Sequence, residues 1–283
     1  MNTTGHDKIA LITGANHGIG LELTRRLLSE GFQVVALNRS GFPEDDPLLR
    51  ESLERRRLRV HTADLSDFEG LRRALGAIKA SEDRIDVLFN NAGGSVPELT
   101  FSRQGRELHF ELQTVAPYVI AMELRELLRR GSLKTVVNTS SNAFDMTRRF
   151  DPDALERPAS FRQLFGPYAT SKLALSLWTR EVAPLLEKDG IKIRSVDPGG
   201  NNTLRKGKRS GLPFFVQTLM RLFFPPPTRG ASRLYEGAFG AHRELSGVYL
   251  RKDRAMDLPF REHGPRVLEK VRSIYEREFT ASG

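Results

Sequence analysis

The sequence predicts a single α/β domain with a doubly wound parallel sheet of about seven strands, and three observations lead there. Short apolar runs rich in Val, Ile and Leu recur along the chain, as strands covered on both faces do. Longer segments with helical periodicity lie between them, and strands alternating with helices call for right-handed crossovers and a parallel sheet. A length of 283 residues suits one such domain, and no repeat or low-complexity linker divides it.

Taken in order, the first strand is KIALI (8–12), followed by TGANHGIG (13–20) and the helical LELTRRLLSEG (21–31). FQVVALN (32–38) and RLRVHT (57–62) read as the next two strands, and Phe68 to Ala80 as a helix. IDVLFNN (85–91) precedes a long helical pattern from Gly105 to Arg129, and KTVVNTSS (134–141) precedes one from Tyr168 to Glu187. IKIRSVDPG (191–199) and GVYL (247–250) complete the strands. Irregular sequence concentrates in Phe144 to Pro167 and Asn201 to Arg229, both after C-terminal strand ends, where open α/β sheets bind ligands.

Composition excludes several functions. An apolar share of 39% beside 28% charged residues is that of an ordinary folded domain, not a disordered chain. Absence of cysteine rules out disulfides, thiolate metal sites and cysteine nucleophiles, and no metal site is expected. No stretch approaches the roughly 20 apolar residues needed to span a bilayer, and MNTTGHDK lacks an apolar signal segment, so a cytoplasmic location is expected. A net charge of +9 favours anionic partners, with clusters at Arg55 to Arg57, Arg148 and Arg149, and Arg205 to Arg209. Those clusters lack the interleaved aromatic side chains that stack on bases, so no nucleic-acid partner is expected.

The glycines of TGANHGIG carry the first functional signal. Between a strand and a helix they let backbone approach a pyrophosphate, while the helix N-terminus supplies unpaired N–H groups and partial positive charge. The spacing is Gly-x-x-x-Gly-x-Gly, which departs from the common dinucleotide fingerprint, so a tight turn remains the alternative for the loop alone. At the end of the second strand, where a ribose-reading acid is expected, stand Asn38 and Arg39. Asn38 cannot repel a 2′-phosphate and a guanidinium can clasp one, which favours NADP(H) over NAD(H). His17 offers a further contact when protonated, or is an ordinary turn histidine.

Four motifs now stand in one order: TGANHGIG, NNAG (90–93), YATSK (168–172) and PGGNNT (198–203). In these the chain resembles the classical short-chain dehydrogenase/reductase family, whose TGxxxGIG, NNAG, YxxxK and PGxxxT elements they match. The resemblance implies a Rossmann fold and spans roughly residues 7 to 250. The Ser141 to Tyr168 insertion and the SGVYL near the C-terminus look most like the retinol-dehydrogenase and protochlorophyllide-reductase branch. It implies cofactor contacts at Gly14, Asn16, His17, Gly18, Ile19 and Gly20; at Asn38, Arg39, Asp64 and Leu65, with Asp64 on the adenine; at Asn91, Ala92 and Gly93; at Tyr168 and Lys172; and at Pro198, Gly199 and Thr203. It also implies a homodimer or homotetramer through the two long helices, although their exposed pattern does not decide the matter.

Hydride transfer to a carbonyl leaves an alkoxide that needs a proton, so an acid must sit beside the oxygen. A phenol is poorly matched to neutral pH unless a cation lowers its pKa. Residues four apart share a helix face, and among the tyrosines only Tyr168 has a lysine four residues on. Tyr168 is thus the expected proton donor and Lys172 the cation that tunes it, holding the ribose hydroxyls as in the family. Ser141, ending the fifth strand, can hydrogen-bond the substrate oxygen, and the family pattern selects this second serine, with Ser140 in reserve. The family's fourth catalytic residue, an Asn, maps by counting from Pro117 onto Gln113, a longer arm with the same amide groups.

Gly211 to Pro227, apolar apart from Arg221, falls where the family carries a substrate lid, here at about 201–229. It suits a bulky lipophilic ketone, aldehyde or alcohol, with core packing and a membrane-surface dock as alternatives. The adjacent RKGKR could instead receive an acidic carrier protein or a substrate phosphate. Two functional classes follow: an NADP(H)-dependent oxidoreductase, and a catalytically weak NADP(H)-binding sensor or regulatory protein on the same fold.

Overall fold

A computed structural model describes residues 8–201 and 225–281. Their sheet has the order β3-β2-β1-β4-β5-β6-β7-β8. It comprises β1 (Ile9–Thr13), β2 (Gln33–Asn38), β3 (Leu58–Thr62), β4 (Val87–Asn90), β5 (Thr135–Thr139), β6 (Lys192–Asp197), β7 (Val248–Arg251) and β8 (Arg254–Met256). The first seven pair in parallel, as expected. The eighth is a short addition, antiparallel to β7 and exposed throughout, so it carries none of the apolar signal that marks the others.

Each side of the sheet buries its own core because successive side chains in a strand point to opposite faces. Ala10, Ile12, Val34, Ala36, Phe89 and Val196 face α1 (Gly18–Ser29), α2 (Pro47–Glu54) and α8 (Pro227–Phe239). Leu11, Val35, Leu37, Leu88, Val136 and Ile193 face the other side, with α3 (Phe68–Ser81), α7 (Pro167–Glu187) and α9 (Gly264–Ile274). Leu11 and Ile12 are wholly inaccessible, and each such burial contributes about 1.5–3 kcal/mol relative to exposure.

The long helix expected from Gly105 to Arg129 is broken. It begins as α4 (Leu108–Phe110), widens into a π-turn at Glu111–Val115, and resumes as α5 (Ala116–Glu123) and α6 (Arg125–Arg130). The widened turn points Glu111, Gln113 and Thr114 all inward. Such bulges mark functional segments more often than ordinary helix does. Thr114 Oγ1 donates to the Ser171 carbonyl at 2.8 Å and the Trp178 indole donates to the Thr114 carbonyl at 3.2 Å, which locks α7 to the π-turn. Among the described residues no helix is long and apolar enough to cross a membrane.

The strand order reverses between β1 and β4, and at such a switch point the crevice above the strand ends is the binding site of open α/β sheets.

Candidate active site

The glycine loop closes over the ends of β1 and β4. Gly14 has φ +64°, and a Cβ there would meet Ala92 Cα at 3.0 Å; a Cβ on Gly20 would lie 2.0 Å from the Gly14 carbonyl oxygen. Gly20 admits no side chain, and one at Gly14 would be strained by both the positive φ and the approach to Ala92. The Asn91 amide donates to the Thr13 and Gly14 carbonyls at 3.1 and 3.2 Å, and Thr13 Oγ1 accepts from the Asn91 and Ala92 N–H groups at 2.9 Å each. Helix α1 starts directly after the loop, and His17 at its N-cap provides no side-chain cap. A glycine loop with no Cβ in the way, leading into a helix N-terminus, fits a pyrophosphate.

Asn38 differs from its expected role. It is buried, and its Oδ1 accepts from Ala15 N at 2.7 Å, so it braces the loop from beneath instead of facing a ribose. Its Nδ2 is buried without a partner. Arg39, by contrast, is exposed at the mouth of the crevice. The buried Asn16 amide ties the loop to the Ser40 and Gly41 carbonyls at 2.7 Å. Asp64 is exposed with its Oδ1 taken by Ser66 N at 2.9 Å, and Leu65 is buried beside it. Ile19 is half-buried behind the loop. Pro198 and Gly199, the latter with φ +73°, make the turn after β6, held by the Asn201 amide, which donates to both carbonyls at 3.0 and 2.7 Å. Thr203 and most of the expected lid lie outside the described residues.

On the far side of the crevice, β5 ends in two serines with different fates. Ser140 is buried, its hydroxyl 2.7 Å from Ser176 Oγ on α7. Ser141 is half-buried, accepts from Ala143 N at 3.1 Å, and its hydroxyl is the group that opposes the rise of the Tyr168 pKa. The geometry therefore favours the second serine. Tyr168 and Lys172 sit on the first two turns of α7, whose start is set by Gly166 and Pro167. Lys172 is buried and its Nζ donates to the Thr139 carbonyl at 2.7 Å.

Electrostatics depart from expectation here. Burial raises the Tyr168 pKa; the Ser141 hydroxyl opposes the rise and the Asp197 carboxylate adds to it. Burial also lowers Lys172 to about 7, so near neutral pH only part of the population carries the charge that would draw the phenol down. Gln113 is nearly inaccessible and both ends of its amide are engaged by Gly94: Oε1 accepts from the N–H at 3.4 Å and Nε2 donates to the carbonyl at 3.2 Å.

Three residues that no motif marks also converge here. Asp197 ends β6, buried, accepting from Gly199 N at 2.8 Å. Glu107 and His109 form a buried pair beside the Tyr168 ring. The sequence signal for the pair would have been a carboxylate two residues before a histidine at the head of an inward-facing helix.

The arrangement can hold an anionic dinucleotide along the glycine loop and deliver a proton beside it. A family model described as short chain dehydrogenase matches residues 8–152. The chain is 28% identical over 271 residues to retinol dehydrogenase 12 of Mus musculus, covering 94% of this chain and 84% of that protein. It is 28% identical over 264 residues to retinol dehydrogenase 14 of Homo sapiens, covering 86% and 78%. A short chain dehydrogenase from Leptospira borgpetersenii, solved with bound NAD+, has the same fold, with a TM-score of 0.62 at 20% identity, covering 87% of this chain and 91% of that one. The chain belongs to the short-chain dehydrogenase family of nicotinamide-dependent oxidoreductases, on its retinol-dehydrogenase-like branch.

Proposed function

We propose that this protein is an NADP(H)-dependent reductase of a bulky lipophilic ketone or aldehyde, with Ser141, Tyr168 and Lys172 as its catalytic residues. The observation that carries the proposal is the convergence of Ser141, after β5, with Tyr168 and Lys172, on α7, across one crevice from the glycine loop. When bound, the cofactor supplies the hydride, and the remaining work falls to side chains. Tyr168 gives its proton to the substrate oxygen; burial raises its pKa, so the phenol is protonated at neutral pH and needs a nearby cation to release that proton. Ser141 donates to the same oxygen and stabilises its developing charge. Lys172, anchored on Thr139, would hold the ribose hydroxyls, and an anion brought close would favour its charged form and strengthen its pull on the phenol.

The preference for NADP(H) rests on exposed Arg39, which can pair bidentately with a 2′-phosphate, and on the absence of an acid beside it on β2. A lipophilic substrate is supported by Phe101, Met146 and Phe165, which are 47%, 70% and 50% exposed on segments flanking the site, and by relatives named for retinol. Oxidation of NADPH and NADH, followed by absorbance against lipophilic aldehydes and ketones, tests the proposal. Turnover favouring NADPH is expected; turnover favouring NADH would contradict the cofactor choice. The engagement of both ends of the Gln113 amide favours a second reading, a cofactor-binding sensor with little turnover, which predicts tight NADPH binding and no oxidation across the panel.

A further inference from the structure

The proposed chemistry does not use Glu107 and His109, yet both are almost wholly inaccessible, at 0% and 1% exposure. His109 Nδ1 lies 2.6 Å from Glu107 Oε1, and His109 Nε2 lies 3.1 Å from Val96 N. A backbone N–H can only donate, so Nε2 presents its lone pair and the ring proton sits on Nδ1, aimed at the carboxylate. The second Glu107 oxygen accepts from Phe110 N at 2.9 Å, so every strong polar atom of the pair has a partner.

The ring itself is held between two aromatic side chains. Phe161, from the segment between β5 and α7, stacks on it with centroids 6.3 Å apart at 20°. Tyr168 meets it edge-on at 5.8 Å and 83°. That segment is also tied to the pair through its backbone, where Glu107 N donates to the Glu156 carbonyl at 2.9 Å. Four residues beyond His109, Gln113 grips Gly94. The loop after β4 is thus pinned at Gly94 and Val96 by two side chains one helical turn apart.

Resting on the reductase reading above, we propose that Glu107 and His109 are positioning residues: a carboxylate–imidazole pair that sets the Tyr168 ring, fixes the 94–96 loop facing it, and docks the β5–α7 segment against both. A ring with both nitrogens committed cannot turn without leaving a buried group unpaired, so the orientation of its Tyr168 contact is fixed before substrate arrives.

The test compares His109→Leu and His109→Gln with the wild-type enzyme. A displacement of about 1 Å in a reacting group costs on the order of 100-fold, so His109→Leu should lower kcat about 10- to 100-fold while the NADPH Kd, read by cofactor fluorescence, stays within about two-fold. His109→Gln, whose amide oxygen can accept from Val96, should recover part of that loss. In 15N-histidine spectra of the wild-type protein, the His109 proton should be on Nδ1. Unchanged kcat in the leucine variant, a kcat loss matched by lost NADPH affinity without rescue by glutamine, or a proton on Nε2 would each overturn the proposal. Should the leucine variant fail to fold, His109→Asn takes its place under the same criteria, since it keeps a donor toward Glu107 but cannot reach Val96. Failure of the reductase reading shows separately, as turnover that survives Tyr168→Phe in an otherwise native protein.

Discussion

The two walls of the crevice are built by different means. The wall at the ends of β1 and β4 is made of backbone: Gly20 admits no Cβ and Gly14 only a strained one, and Thr13, Asn16, Asn38 and Asn91 hold the turn by side-chain hydrogen bonds to main-chain groups. The wall at β5 and α7 is made of side chains, with half-buried Ser141 and Tyr168 set beside buried Lys172 and His109 by contacts from segments far apart in sequence. A backbone wall tolerates no change of shape but asks little of charge. A side-chain wall depends on which tautomers and charges burial permits, and substitutions there should change chemistry more than fold.

The largest contrast lies between neighbouring serines. Ser141→Ala should lower kcat by about 100- to 1000-fold, the loss typical of one oxyanion-type donor. Ser140→Ala, which removes a buried bond to Ser176, should leave kcat within a few-fold and show its effect in thermal unfolding. Steady-state kinetics on both variants check this, and equal losses would erase the distinction between the two serines.

On the backbone wall, Arg39→Asp should raise the NADPH Kd about 10- to 100-fold, the loss of a charge-assisted pair worth about 1.5–3 kcal/mol. NADH binding should change far less, so fluorescence titration with both cofactors measures the difference directly. Gly14→Ala should cost about 1–3 kcal/mol of stability through its positive φ and the approach to Ala92, together with loss of cofactor binding, both readable by denaturant unfolding with and without NADPH.

A separate effect concerns pH. The Lys172 pKa falls from 10.5 in the unfolded chain to about 7 in the folded one, so between those values the unfolded chain binds more protons. Stability contributed by this site therefore rises with pH across that window, and the cost of its burial is fully present below it. Lys172→Met removes the coupling. The stability difference between wild type and variant, measured by denaturant titration at several pH values, should shift toward the wild type as pH rises from 7 to 10.

How much of this the sequence reveals follows from the same contrast. The glycine loop, the seven parallel strands and the Tyr168–Lys172 pair are legible because backbone geometry and helix period force particular residues into particular places. The burial of Asn38 is not legible, since the same residue at a strand end can face either the ribose or the loop. Nor is the π-turn at Glu111–Val115, because the residues that follow it, Ala116 to Ala121, are buried all round and show no apolar stripe whose phase could shift. The weak cationic character of Lys172 and the Glu107–His109 pair arise from three-dimensional burial, which no local pattern records.

The central claim is that Tyr168 delivers the proton in an NADPH-dependent reduction, and the most direct measurement pairs Tyr168→Phe turnover with NADPH binding on the same protein. The account predicts a fall in kcat of about 100- to 10,000-fold with an unchanged NADPH Kd. Turnover that survives the substitution would contradict it.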